Sequence, residues 1–117
     1  MENNEILEGN KLIAEFMGLK KQGFGANEHF TDNGNRIVAT SNGLQYHTSW
    51  DWIMPVVEKI EDDGYIVYIK QEICYIRNKT NSIKNLVYMC HYPKITAVFM
   101  VVVEFIKWYN ENKDNGK

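Results

Sequence analysis

Apolar side chains recur at helical spacing in three segments of the chain. The first segment, residues 3–17, carries a stripe of this kind: Ile6, Leu12, Ile13, Phe16 and Met17. Gly18 follows it, and glycine most easily adopts the left-handed conformation that ends helices. The pattern predicts a helix over 3–17, with Gly9 as its weakest position because glycine disfavours a helix interior.

The second segment, residues 48–63, has an apolar face, made of Ile53, Val56, Val57 and Ile60. Thr48 and Ser49 are both good N-cap residues. Pro55 conflicts with a single straight helix, because proline lacks an N–H and clashes with the preceding turn. Two alternatives follow: the helix kinks at Pro55, or a short turn over 49–54 precedes a helix that begins at Pro55.

The third segment, residues 94–112, is apolar nearly all round. One face holds Val98, Val101, Val102, Phe105 and Tyr109, and the rest of the surface adds Phe99, Met100, Val103 and Ile106. Such a helix is usually buried on more than one side. Met100, Val103 and Ile106 therefore predict either contacts with the first helix or a self-complementary dimer face.

β-Branched and aromatic residues predict three strands between the second and third helices. These are Tyr65–Lys70, Ile73–Arg77 and Ile83–Tyr92, the last two forming a hairpin over 72–92. Residues 20–46 are less regular, with possible short strands near 24–30 and 36–40.

The resulting order is helix, irregular β, helix, three strands, helix. It predicts a single α+β domain over 1–112, in which three helices pack on one face of a small, mainly antiparallel sheet. Residues 113–117 are expected to be a frayed polar tail.

Composition fits one ordinary domain of 117 residues with a formal charge of −2. A charge this small gives no argument for a nucleic-acid partner. The longest apolar run, from Ile95 to Ile106, falls short of the roughly 20 residues that a membrane-spanning helix needs. The acidic start of the chain is unlike a secretory signal. We expect a cytoplasmic protein that does not engage a membrane.

The cysteines and histidines show no metal-binding pattern. Cys74 and Cys90 lie in predicted strands, and we expect reduced thiols, with a cross-strand disulfide as the alternative. Together with His29, His47 and His91 they match no zinc-ligand spacing. We expect neither a metal nor a cofactor.

The densest group of chemically useful side chains is Tyr46-His47-Thr48-Ser49-Trp50-Asp51-Trp52. As a binding site it offers aromatic faces, an imidazole and the N–H groups of a helix start, with candidate residues Tyr46, His47, Trp50, Asp51 and Trp52. The structural interpretation is that a tryptophan anchors the second helix. Because Trp50 and Trp52 are separated by about 200° on a helix, we expect one ring to be an anchor and the other to face outward.

The hairpin over 70–84 offers a second candidate surface. It carries four positive side chains, Lys70, Arg77, Lys79 and Lys84, and one negative side chain, Glu72. Tyr75 and Tyr88 are interleaved with them. This composition suits a weak nucleic-acid surface, but it also suits a solvated face whose lysines protect the sheet edge. We favour the second interpretation.

Three blocks of the chain have a distinctive sequence: NKLIAEFMG at 10–18, YHTSWDWIMPVVEKIE at 46–61 and, after Ala97, VVVEFIKWYN at 101–110. In this order they resemble a family of small uncharacterised proteins from bacteriophages and Bacteroidetes-type bacteria. The resemblance implies a phage or prophage origin and a cytoplasmic location. The family has no assigned activity, so it implies no residue roles.

The sequence offers no paired carboxylates in a catalytic context, no triad and no cofactor loop. We therefore expect a non-catalytic accessory module that binds an unknown protein partner, with a homodimer as a further possibility. One alternative is a nucleotide- or ligand-binding protein or enzyme that uses His47, Trp50 and Asp51. The second is a weak nucleic-acid binder that uses the 70–84 hairpin.

Overall fold

The computed structural model describes residues 2–79 and 85–112, and in these residues the chain forms three α-helices and two three-stranded sheets. The helices are α1 (Asn3–Phe16), α2 (Trp50–Asp62) and α3 (Lys94–Asn112). The strands are β1 (Lys20–Gln22), β2 (His29–Thr31), β3 (Ile37–Thr40), β4 (Tyr65–Lys70), β5 (Ile73–Asn78) and β6 (Asn85–Cys90). The α+β class is confirmed. The predicted tail over 113–117 lies outside the described residues.

Helix α1 ends at the glycine that the sequence indicates. Gly18 has a φ of +86°. Its N–H donates to the carbonyl of Glu15 at 3.0 Å, and the N–H of Leu19 donates to the carbonyl of Ala14 at 3.0 Å. These are the two hydrogen bonds of a Schellman motif. The motif turns the chain out of α1 and directly into β1.

Helix α2 runs through Pro55 without a break. It begins at Trp50, with Ser49 as the N-cap residue. Pro55 and Asp51 are both exposed, so water can bond the carbonyl of Asp51, which proline leaves without a donor. The alternative in which the helix begins at Pro55 is wrong.

Strands β4, β5 and β6 form an antiparallel sheet in that order, with one face toward the helices. The side chains on this inner face pack into the core: Val67, Ile69, Cys74, Ile76, Val87 and Met89. On the outer face, Tyr68 pairs with Tyr75 and Tyr75 pairs with Tyr88. The alternation of strand side chains thus gives a row of three tyrosines across the sheet.

Residues 20–46 are more regular than the sequence indicates. Strands β1, β2 and β3 form a second antiparallel sheet. The expected strand near 36–40 is present as β3, whereas the expected strand near 24–30 is replaced by a short 3-10 turn, Gly25–Asn27, followed by β2. These strands have three or four residues, too few for an alternating pattern to be recognised.

Glu28 ties this first sheet to α1. The Nζ atom of Lys11 lies 2.8 Å from Oε1 of Glu28, and the hydroxyl of Ser41 donates to the same oxygen at 2.6 Å. Lys21 Nζ lies 3.7 Å from Oε2. The hydrogen bonds from Lys11 and then Ser41 hold the pKa of Glu28 at about 2. Glu28 is therefore a carboxylate over the ordinary pH range and keeps both partners in place.

Helix α3 forms the centre of the core. It packs on β5 and β6, α1 packs against it, and α2 covers β4. Its buried residues are Ala97, Val98, Phe99, Val101, Val102, Phe105 and Ile106. Burial on more than one side is thus confirmed. Ile106 is only 1% exposed, so its assignment to a dimer face is wrong, because the side chain is used in the core.

Candidate functional site

A buried asparagine connects α1 to the segment that enters α2. Asn10 is 3% exposed. Its Oδ1 accepts a hydrogen bond from the backbone N–H of Tyr46 at 3.0 Å, and its Nδ2 lies 3.0 Å from Nδ1 of His47. A backbone N–H only donates, so the amide orientation is fixed and Nδ2 donates to the imidazole. Neutral His47 therefore carries its proton on Nε2.

His47 is half-buried beside α3. Its ring centroid lies 5.9 Å from that of Phe99, and burial lowers the pKa of His47. The imidazole is therefore neutral at neutral pH, with Nδ1 occupied by Asn10 and Nε2 protonated. In this state neither ring nitrogen is a free base, which favours the structural interpretation of His47.

The remaining candidates from 46–52 separate into two groups. The rings of Tyr46 and Trp52 meet edge to face, with centroids 5.1 Å apart, and both rings pack against the core. Burial raises the pKa of Tyr46 to about 12. Trp50 is 40% exposed, and Asp51 is also exposed. Trp52 is therefore the anchor and Trp50 the outward ring, and the five candidates do not converge on one site.

An open groove lies between α1 and α3, with a volume of about 480 Å³. Its floor is apolar and consists of Gly9, Leu12, Met89, Phe99, Met100 and Val103. Its rim is polar and consists of Asn4, Glu5, Glu8, Glu104 and Lys107. Two residues of the predicted dimer face, Met100 and Val103, thus lie in this groove.

Gly9 sets how closely α1 approaches α3. A Cβ atom at Gly9 would lie 2.7 Å from Cζ of Phe99 and 3.0 Å from Cγ2 of Val103. Further along, the ring of Phe16 meets that of Tyr109 edge to face, with centroids 5.8 Å apart. The contacts advance in the same direction along both helices, so the helices run parallel. The glycine that weakens α1 locally is explained by this close packing.

Sequence reasoning missed Asn10 and the groove, although each left a signal. Asn10 lies on the apolar stripe of α1, between Ile6 and Ile13. A polar residue on a buried stripe needs a hydrogen-bond partner. Gly9 inside a helix likewise indicates a close approach by another element. The sequence does not say which element supplies the partner or makes the approach.

The tyrosine row bears on the nucleic-acid alternative. The rings of Tyr68 and Tyr75 are stacked, with centroids 4.7 Å apart and planes at 13°. Each ring therefore covers one face of the other, whereas bases bind by stacking on free ring faces. Lys84, one of the four cations of this surface, lies outside the described residues. This geometry favours a solvated outer face.

The two cysteines are free and lie on opposite faces of the sheet. Cys74 is buried, and burial raises its pKa to about 12, so it is not a nucleophile at neutral pH. Cys90 is exposed. Over 2–79 and 85–112, no three His, Cys, Asp or Glu side chains are grouped as metal ligands.

Over the same described ranges, no helix has both the length and the hydropathy needed to span a bilayer. This result includes α3, the helix with the most apolar sequence. Comparison of the chain with protein-family models, curated proteins and solved structures finds no match.

Proposed function

We propose that this protein is a non-catalytic protein-binding module whose binding site is the groove between α1 and α3. The observation that carries the proposal is the partly exposed apolar floor, which includes Leu12, Met100 and Val103. Charged and polar side chains surround this floor. An apolar centre inside a polar rim is the general arrangement of protein interfaces.

Two methionines make the floor adaptable. Met89 from β6 and Met100 from α3 are both partly exposed in the groove. Methionine is unbranched and polarisable, and it is common in surfaces that accommodate partner side chains of different shapes. A floor of this kind suits a segment of another protein better than a small ligand held by fixed polar groups.

The state of the reactive side chains supports binding over catalysis. Nδ1 of His47 is engaged by Asn10, and Cys74 is buried with a pKa of about 12. Asp51 is exposed on the first turn of α2, while His47 packs beside Phe99.

Following the family resemblance, the proposal includes a role as a phage or prophage accessory protein in the cytoplasm.

Selection from a displayed library of random peptides tests this proposal. The protein is immobilised, and the enriched peptides are measured against two variants with the same substitution. Val103→Glu places a carboxylate in the groove floor, whereas Val38→Glu alters a 41% exposed valine on β3 that does not line the groove. Circular dichroism and thermal melting establish that both variants fold.

We expect the selected peptides to bind the wild-type protein and Val38→Glu alike. Val103→Glu should bind them at least about tenfold more weakly, because a charge would be buried against the apolar side of the peptide. If no peptide is enriched, or if the enriched peptides bind all three proteins equally, the groove is not a protein-binding site.

A further inference from the structure

We infer that the occupant of the groove is a cationic amphipathic helix of a partner protein. This inference rests on the proposed function, since it names the chemical class of the partner that the groove accepts.

The rim of the groove is acidic. Glu5 and Glu8 on α1 and Glu104 on α3 are all exposed, which gives three carboxylates at its edges. The cation of the rim, Lys107, lies 3.6 Å from Glu104 within α3. Lys107 is therefore already next to a carboxylate, and the outer edge along α1 carries negative charge alone. Lysine or arginine on a partner would complement this rim.

The shape of the groove suits a helix. The groove extends over nine residues of each helix, from Asn4 to Leu12 on α1 and from Phe99 to Lys107 on α3, or about 12 Å of helix axis between the first and the last residue. Two parallel helices leave a channel that a third helix fills by packing side-chain ridges into grooves. About two turns of a partner helix would cover the channel, with apolar residues at i, i+3, i+4 and i+7 on the floor.

Charge also distinguishes this partner from a second copy of the chain. In a symmetric dimer each groove would face an identical groove. Each acidic rim would then meet an identical acidic rim, with three carboxylates and one lysine on each side, and like net charges across an interface disfavour binding. A cationic helix meets the same apolar floor without this repulsion.

Three synthetic peptides of about 14 residues test the inference. The first has leucine at i, i+3, i+4 and i+7 with lysine on both flanks, and the second has the same leucines with glutamate on the flanks. The third has the composition of the first in an order without a leucine stripe. Fluorescence anisotropy with labelled peptides measures each dissociation constant at low and high salt.

The first peptide is expected to bind at least about tenfold more tightly than the other two at low salt. The combined variant Glu5→Gln, Glu8→Gln and Glu104→Gln should remove most of this preference. The combined variant Glu58→Gln, Glu61→Gln and Asp62→Asn changes the net charge equally at exposed sites on α2 and should keep the preference. Salt of about 0.5 M should weaken binding of the first peptide because it screens exposed charges.

The outcomes separate this inference from the proposed function. If the glutamate or the scrambled peptide binds as well as the first, the inference is wrong. If the displayed library nevertheless yields groove-dependent peptides, the protein-binding function stands with a different partner class. If light scattering shows a concentration-dependent dimer that Val103→Glu abolishes, the occupant is a second copy and the inference is overturned. If the three rim substitutions leave the preference for lysine unchanged, the acidic rim does not select the partner.

Discussion

Replacing Asn10 by alanine tests whether this one amide fixes α1 to the segment that enters α2. The substitution removes the acceptor of the Tyr46 N–H and the donor to His47 Nδ1, both at 3.0 Å. Tyr46 is 5% exposed, so its N–H would lose its partner where water has little access. A buried donor without a partner costs about 1–3 kcal/mol, and the second hydrogen bond contributes about 1 kcal/mol.

Alanine recovers about 0.5 kcal/mol through its higher helix propensity. The free energy of unfolding should therefore fall by about 1.5–3.5 kcal/mol, out of the roughly 5–15 kcal/mol that a domain possesses. Urea unfolding followed by circular dichroism measures the change. Asn4→Ala is the matched control, because Asn4 is exposed on the same helix, and it should change stability by no more than about 0.5 kcal/mol.

The variant Asn10→Asp extends this test to the protonation of His47. In the wild-type protein, burial keeps the pKa of His47 below its ordinary value of 6.5. As the pH drops, His47 is therefore protonated at a higher pH in the unfolded chain than in the folded chain. The free energy of unfolding consequently falls as the pH drops through 6.5. A carboxylate at position 10 would favour the imidazolium form of His47 and raise the pKa of His47 in the folded state. The contribution of His47 to stability would then be present at low pH and lost as the pH rises.

The slope of stability against pH should therefore change sign between the wild-type protein and Asn10→Asp, over about pH 5.5–7.5. Urea midpoints at several pH values measure both slopes. Equal stability of Asn10→Ala and Asn4→Ala would refute the role of Asn10 as a buried connection. Parallel pH profiles for the wild-type protein and Asn10→Asp would refute the hydrogen bond to Nδ1.

Three further predictions concern other parts of the molecule. Trp52→Ala should cost about 2–4 kcal/mol of stability and Trp50→Ala less than about 1 kcal/mol in thermal melting, because the first ring packs on the core and the second is 40% exposed; equal losses would contradict this assignment. The Glu28 carboxylate, with a pKa of about 2 against an ordinary 4.5, should contribute stability that is lost as the pH falls from 4.5 to 2. Acid unfolding of Glu28→Gln should lack this contribution, and superimposable acid curves would show that its partners do not stabilise the fold. Fluorescence anisotropy with labelled oligonucleotides should show only weak, salt-sensitive binding, since the formal charge is −2, and sub-micromolar binding at physiological salt would overturn that expectation.

The regular parts of the fold were predictable because their residues follow a strong local pattern. Helix α3 was predicted over 94–112 and is observed as Lys94–Asn112, since its apolar residues extend over many turns. Gly18 marks the end of α1 for a local reason as well, the positive φ that glycine accepts. Strand β4 matches the predicted Tyr65–Lys70, because β-branched and aromatic residues fill it.

The site was not predictable in the same way, because it depends on contacts between distant residues. Asn10 bonds to residues 36 and 37 positions away, and no periodic pattern identifies such a partner. The spacing of Trp50 and Trp52 gives the angle between the rings but not which ring faces the core. The groove exists only once α1 has docked beside α3, which is a property of the tertiary packing.

Phe99 lies both at the groove and beside His47, and this gives the molecule an internal spectroscopic probe. Its ring lines the floor of the groove, and the ring of His47 lies 5.9 Å from it. The magnetic field of an aromatic ring changes the chemical shift of nearby protons, so a small displacement of Phe99 would move the carbon-bound proton signals of His47. The imidazole takes no part in lining the groove, yet its NMR signals would report when the groove is filled.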